Sequence, residues 1–279
     1  MKTIVPALAV FAIALFTSCK KENSVPVSLT ASDVSDMYTE TGLPVQTPKT
    51  HFVDANIGGY LEALPAHYAN HPKKNFPLII FLNGSGSLGD GSKSALTVED
   101  NIAIPYLIAH GKFPANFTVN GFKYQFIVLT PQFKAWPVAE NVNDMINYAI
   151  KTYRIDRSRI YICGLSMGGG TTWDYASAYG NRVAAVVPIC GASAPTMAKA
   201  HAIANDDLPV WAFHNSGDPT VPSWYSIDYV KDINSYDPPI HAKLTLFQAT
   251  VHDAWSKATN PSYKENNVNI YEWMLRHRK

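Results

Sequence analysis

The chain has 279 residues, 47% of them apolar and 16% charged, and a formal net charge of +1. That is enough apolar material for a large core under both faces of a sheet. The near-neutral balance offers no basic patch for nucleic acid and no charged tail, and no His/Cys/Asp/Glu cluster stands at metal-ligand spacing, so neither metal nor cofactor is expected.

In chain order, Lys2 precedes an apolar run from Ile4 to Phe16, the charged start and short hydrophobic region of a signal peptide over residues 1–18. The run ends Leu15-Phe16-Thr17-Ser18-Cys19. Small residues before a Cys resemble the lipobox of bacterial lipoproteins, although Phe16 stands where that motif places Leu. The resemblance implies cleavage before Cys19, a lipid on its sulfur, and anchoring at the membrane of the cell envelope. The alternative is an ordinary secreted protein with an incidental Cys. Residues 19–48, rich in Ser, Thr, Pro, Asp and Glu, read as a flexible tether, and 49–279 as one catalytic domain.

The globular pattern opens with two strands, His51–Asp54 and Gly59–Leu64, joined by turn residues at Asn56-Ile57-Gly58. Pro77–Leu82 is a continuous apolar run suited to a central strand, and it leads into the glycine-rich loop 83–91. A helix is predicted over 99–110, a strand from Tyr124 to Leu129 ending at Pro131, and a helix over 138–153. Then come the apolar run before Gly164 and a helix from Gly168 to Tyr179 closed by Gly180. Strands at Val183–Ile189, Leu208–Phe213 and Leu244–Phe247 alternate with helices over 195–204, 222–235 and 262–277. Such alternation implies an α/β domain: a mainly parallel sheet, helices on both faces, and ligands at the carboxyl ends of the strands. No insertion is large enough for a bulky lid. Cys163 and Cys190 lie in strand-like runs, where buried thiols and a disulfide both remain open.

The chemistry centres on Gly164-Leu165-Ser166-Met167-Gly168, a Gly-x-Ser-x-Gly between a strand and a helix. In that order a serine turns in a strained conformation and its hydroxyl stands out of the sheet edge, beside the N–H of Met167 at the positive end of the helix. A serine needs a base, and the base a carboxylate. In the order Ser, acid, His, the acid belongs after the next strands: Asp218, in Gly217-Asp218-Pro219, follows Trp211-Ala212-Phe213. Asp206 and Asp207 precede that strand and so belong at the wrong sheet edge. The base belongs in the loop after the last strand, where His252 stands; His214 abuts its strand too closely. A second oxyanion donor is expected from the backbone of Gly84 or Ser85 in the glycine-rich loop. Trp136, Trp255 and Gln132 are the candidate substrate contacts.

The segments Phe81–Gly86, Thr130-Pro131-Gln132 with Trp136, Gly164–Gly169, Trp211–His214 with Gly217-Asp218, and His252-Asp253-Ala254-Trp255 together resemble one branch of the alpha/beta-hydrolase superfamily. It is the branch of polyhydroxybutyrate-depolymerase-like and feruloyl-esterase-like enzymes, often labelled predicted peptidases. The resemblance spans about residues 50 to 279. It implies hydrolysis of carboxylic esters through an acyl-enzyme; the export signal and the aromatics point to acyl groups on glycans or related polymers as the substrate. By matching position it gives Ser166, Asp218 and His252 the triad roles. Asn83 stands where the family has His, and Val251 where it has Gly. A serine peptidase acting on short peptides and a non-catalytic surface binding lipoprotein are the rival readings. The oligomeric state stays open.

Overall fold

The computed structural model describes residues 38–97 and 102–279. The signal peptide, Cys19 and most of the tether lie outside those residues, as does the start of the helix predicted at 99. Ten strands are described: β1 (Val45–Lys49), β2 (Ile57–Leu64), β3 (Phe76–Leu82), β4 (Phe117–Val119), β5 (Phe122–Tyr124), β6 (Ile127–Phe133), β7 (Ile155–Leu165), β8 (Ala185–Ile189), β9 (Trp211–Asn215) and β10 (Lys243–Phe247). The described helices are α1 (Lys93–Leu96), α2 (Ala103–Ala109), α3 (Ala139–Thr152), α4 (Met167–Tyr179), α5 (Met197–Asn205), α6 (Trp224–Asn234), α7 (Trp255–Ala258) and α8 (Ile270–Leu275).

Eight strands form one sheet in the order β1-β2-β6-β3-β7-β8-β9-β10. The β1–β2 and β2–β6 pairs are antiparallel, and every pair from β6 to β10 is parallel. β3, Phe-Pro-Leu-Ile-Ile-Phe-Leu, is buried along its whole length, as a strand covered on both faces must be. Its side chains alternate between two cores. Leu78, Ile80 and Leu82 meet Val142, Met145 and Ile146 of α3 and Trp173 of α4, while Ile79 and Phe81 meet Ile104 of α2 and Tyr271 and Met274 of α8. Each of these aliphatic chains contributes about 2 kcal/mol by leaving water.

Several boundaries differ from the sequence reading. The first strand is Val45–Lys49, inside the stretch read as tether, and Val45 pairs with Leu64 and Lys49 with Tyr60. His51–Asp54 is the connecting loop, and its Phe52 is 64% exposed. The ordered chain reaches back further still. The buried Glu40 carboxylate accepts from the N–H groups of Thr41, Gly42 and His67, while Asn116 bonds both the N–H and C=O of Glu40. This arm lies where β2 ends and β3 and β6 begin, at the amino edge of the parallel strands. Lys279 is there too, its N–H donating to Ser158 O near the start of β7.

β6 runs through Pro131 to Phe133. Its register with β3 ends at Ile80–Leu129, so beyond that point only the β2 side is paired and a residue without an N–H is tolerated. Phe122–Tyr124 belongs instead to a separate hairpin with β4. Gly180 keeps right-handed backbone (φ −55°) and leads into a 3-10 turn, so it is no left-handed stop. The last helix is α8 alone. Residues 262–269 form turns around Asn266 and Asn267, both left-handed, and the helix starts at the capping box of Asn269 and Glu272. Among the described residues no helix is long and apolar enough to cross a membrane.

Candidate active site

All six loops that leave the carboxyl ends of β3, β6, β7, β8, β9 and β10 open on one edge of the sheet. Ser166 turns there between β7 and α4 at φ 52°, ψ −115°, a conformation a side-chain-bearing residue adopts only when its surroundings force it. Gly164 and Gly168 make that turn possible. A Cβ on Gly164 would lie 2.4 Å from Gly168 O, and one on Gly168 would lie 2.1 Å from Leu82 O. The turn is also tied down. Ser166 N–H donates to Ile189 O at 3.0 Å, and Gly170 and Ala192 N–H groups donate to Ser166 O at 2.9 Å each.

Ser166 Oγ lies 2.9 Å from His252 Nε2, and His252 Nδ1 lies 2.7 Å from Asp218 Oδ2. The carboxylate is the proton acceptor in the second bond, so Nδ1 carries the hydrogen and Nε2 is left as acceptor for the serine hydroxyl. The Asp218 side chain is 0% exposed and that of His252 19%. Thr220 and Val221 N–H groups hold Asp218 Oδ1 at 2.8 and 3.0 Å. Asn215 Nδ2 donates to Val251 O at 2.7 Å and fixes the loop that carries His252.

Met167 opens α4, where a first-turn N–H has no intrahelical acceptor. Opposite it runs the backbone of Gly84, close enough that a Cβ there would lie 4.0 Å from Ser166 Oγ. The backbone of Gly84 therefore runs alongside the serine hydroxyl at the start of α4. Trp255 presents its ring edge-on to His252, with centroids 5.2 Å apart at 85°. Trp136 is 53% exposed in the loop after β6.

Gln132 is placed differently from the sequence reading. It is buried at 1% exposure and faces the glycine-rich loop from behind. Gly91 N–H donates to its Oε1 (3.0 Å), and its Nε2 donates to Ser87 O (3.1 Å) and Ala95 O (2.9 Å). An amide whose hydrogen-bonding groups are taken up by loop backbone does not meet substrate; it shapes the loop that does. Trp211 likewise belongs to the core, its Nε1 donating to Thr245 Oγ1.

Two residues near the triad escaped the sequence reading. His214, set aside as a base, lies fully buried against Asp218. Cys190 has its sulfur within 4.8 Å of donor atoms of both Asp218 and His252, the one such group among the described residues with the donor types to share a metal ion. Asp218 and His252 are engaged with each other, and burial pushes the Cys190 thiol up to about 12. Cys163 and Cys190 are both free, so no disulfide joins them.

Residues 67–260 match the family described as phospholipase/carboxylesterase. A curated relative, the bifunctional acetylxylan esterase/xylanase XynS20E of Neocallimastix patriciarum, is 26% identical over 135 residues, which take in 47% of this chain but only 17% of that protein. Among solved structures, a thermostable esterase matches with a TM-score of 0.60 at 24% identity, over 85% of this chain and 63% of that one. A feruloyl esterase module from Clostridium thermocellum, complexed with sinapinate, matches with a TM-score of 0.54 at 16% identity, over 81% of this chain and 88% of that one. At such identities the structural likenesses speak for the fold.

Proposed function

From the premise that this chain belongs to the phospholipase/carboxylesterase family and carries the α/β-hydrolase fold, we propose that it is a serine hydrolase that cleaves carboxylic esters through an acyl-enzyme. The observation that carries the reading is the unbroken relay from Ser166 Oγ through His252 to Asp218, at 2.9 and 2.7 Å, with the backbone of Gly84 running beside the hydroxyl. Ser166 Oγ attacks the ester carbonyl while His252 Nε2 takes its proton. The oxyanion that forms is held by the Met167 and Gly84-Ser85 N–H groups. His252 then gives the proton to the departing alkoxide, and the alcohol leaves. Water, deprotonated by the same imidazole, attacks the acyl group and frees the acid, and the proton returns to Ser166.

The substrate class we infer is an acyl ester borne on a glycan or a related polymer. The open edge, with Trp136, Leu88 and Val251 exposed on the loops and Trp224 exposed at the start of α6, supports a broad contact surface. The activities that name the acetylxylan esterase relative and the feruloyl esterase neighbour point the same way. We further propose a lipid anchor at Cys19 in the cell envelope, on the strength of the leader sequence.

A panel of p-nitrophenyl esters, acetylated xylan, feruloylated oligosaccharides and aminoacyl amides, assayed with wild type and Ser166→Ala, tests the reading. Turnover of esters by wild type alone is expected. Turnover of amides alone would establish a peptidase, and inertness of wild type toward the whole panel would overturn catalysis. Labelled palmitate carried by wild type but not by Cys19→Ser tests the anchor.

A further inference from the structure

His214 is the last residue but one of β9, its side chain fully buried, and none of the steps above uses it. Its Nε2 lies 3.0 Å from Val221 O and 3.4 Å from Asp218 Oδ2; its Nδ1 lies 2.8 Å from Ser226 Oγ on α6. A carbonyl oxygen only accepts, so the ring hydrogen sits on Nε2, and Nδ1 accepts from the Ser226 hydroxyl. That Nε2–H bonds the Val221 carbonyl and lies beside the catalytic carboxylate.

Asp218 thereby has a neighbour at each of its acceptor positions. Thr220 and Val221 N–H groups hold Oδ1, and His252 and His214 approach Oδ2 from two sides. A carboxylate fully removed from water needs that set of donors to stay ionised and oriented. The same imidazole hydrogen also fixes Val221 O, and with it the turn from Asp218 to Val221.

We propose that His214 is a positioning residue for the triad: it orients the Asp218 carboxylate through a buried Nε2–H, so that Oδ2 meets His252 Nδ1. The proposal rests on the esterase reading of the site. Burial lowers the pKa of His214, so the ring stays neutral and donates one hydrogen without bringing a second positive charge beside His252. The titratable groups around it are Asp218, which shares that hydrogen with Val221 O, and His252, with the Cys190 thiol next to Asp218.

The test compares His214→Leu, which fills the space without a donor, with His214→Gln, whose amide nitrogen reaches the position of Nε2. For His214→Leu we expect kcat to fall about tenfold or more with KM within about twofold, because orientation and not binding is lost. Without this donor the full charge of Asp218 falls on His252, so the acid limb of the pH–rate profile should move up by about half a unit. The low-field proton signal of the His252–Asp218 hydrogen bond should shift as well. His214→Gln should recover most of kcat and the original limb. Should His214→Leu not fold, Ser226→Ala, which removes only the hydroxyl that donates to Nδ1 and holds the ring in place, is expected to shift limb and proton signal in the same direction by less. A folded His214→Leu with wild-type kcat and acid limb would overturn the proposal. So would equal loss in His214→Leu and His214→Gln with an unmoved limb, and so would a Ser226→Ala with limb and signal unmoved. If wild type itself hydrolyses no ester, the functional reading fails, while the proton signal still decides the positioning role.

Discussion

Replacing Gln132 with leucine should slow catalysis without touching a catalytic group. The side chain makes three bonds to backbone, two in the glycine-rich loop at Gly91 and Ser87 and one at Ala95 of the helix α1 that follows it. Leucine fills a similar volume and leaves those three buried groups without partners, each at about 1 kcal/mol, for a total of about 3 kcal/mol. In a domain of this size that lowers Tm by about 6–12 °C. The kinetic effect follows from what the loop carries. Complete loss of one oxyanion donor costs about 100- to 1000-fold in kcat. A loosened loop still visits the productive position, so a fall of about 10- to 100-fold is expected, with KM nearly unchanged. Steady-state kinetics on p-nitrophenyl acetate beside a thermal melt measure both numbers. Gln132→Glu makes a sharper second probe, because it keeps an acceptor for Gly91 N–H but turns a carboxylate toward Ser87 O and Ala95 O. A Gln132→Leu protein with the expected Tm loss and kcat within twofold of wild type would refute the link between this loop and the oxyanion.

Ser166→Gly should abolish turnover and raise stability by about 1 kcal/mol, since glycine adopts the elbow conformation without penalty; chemical denaturation measures it, and a loss of stability would count against strain at that residue. Burial pushes the Cys163 thiol well above its ordinary value and that of Cys190 up to about 12, so neither should react with a thiol reagent in the native protein and both should react on unfolding. Burial raises the pKa of Glu40, but the hydrogen bonds from Gly42 and His67 outweigh it and hold the carboxyl down to about 2. With the folded pKa below the ordinary 4.5, its stabilising contribution is complete above that value and is lost as pH falls toward 2. Glu40→Gln should therefore flatten the acid side of a stability–pH curve, and an unchanged curve would remove Glu40 from the account.

The parallel half of the sheet was legible because its strands are unbroken apolar runs, and a run such as Leu78–Leu82 fits nothing but a doubly covered strand. The relay was legible for the same reason: once strands and loops alternate, Ser166, Asp218 and His252 fall on one edge by counting. What escaped lacked such a signal. β1, Val-Gln-Thr-Pro-Lys, is an edge strand half in water, so burial leaves no alternation to read, while Phe52 advertises a core it does not join. Pro131 looked like a terminator because sequence does not say which side of a strand is paired. The false extension of the last helix had a visible warning in Asn266-Asn267, since both adopt left-handed backbone. Gln132 and His214 could not be assigned, because a polar side chain facing the cleft and one bracing it from behind are spelled the same way.

The arm at Glu40 and the tail at Lys279 both lie at the amino edge of the parallel strands, opposite the edge that carries Ser166. A bead or a fused module joined at Tyr38 or at Lys279 would therefore hold the protein by its back. The reacting mouth would face outward, toward polymers too large to be engulfed, and two such molecules fixed side by side would offer parallel mouths to one strand.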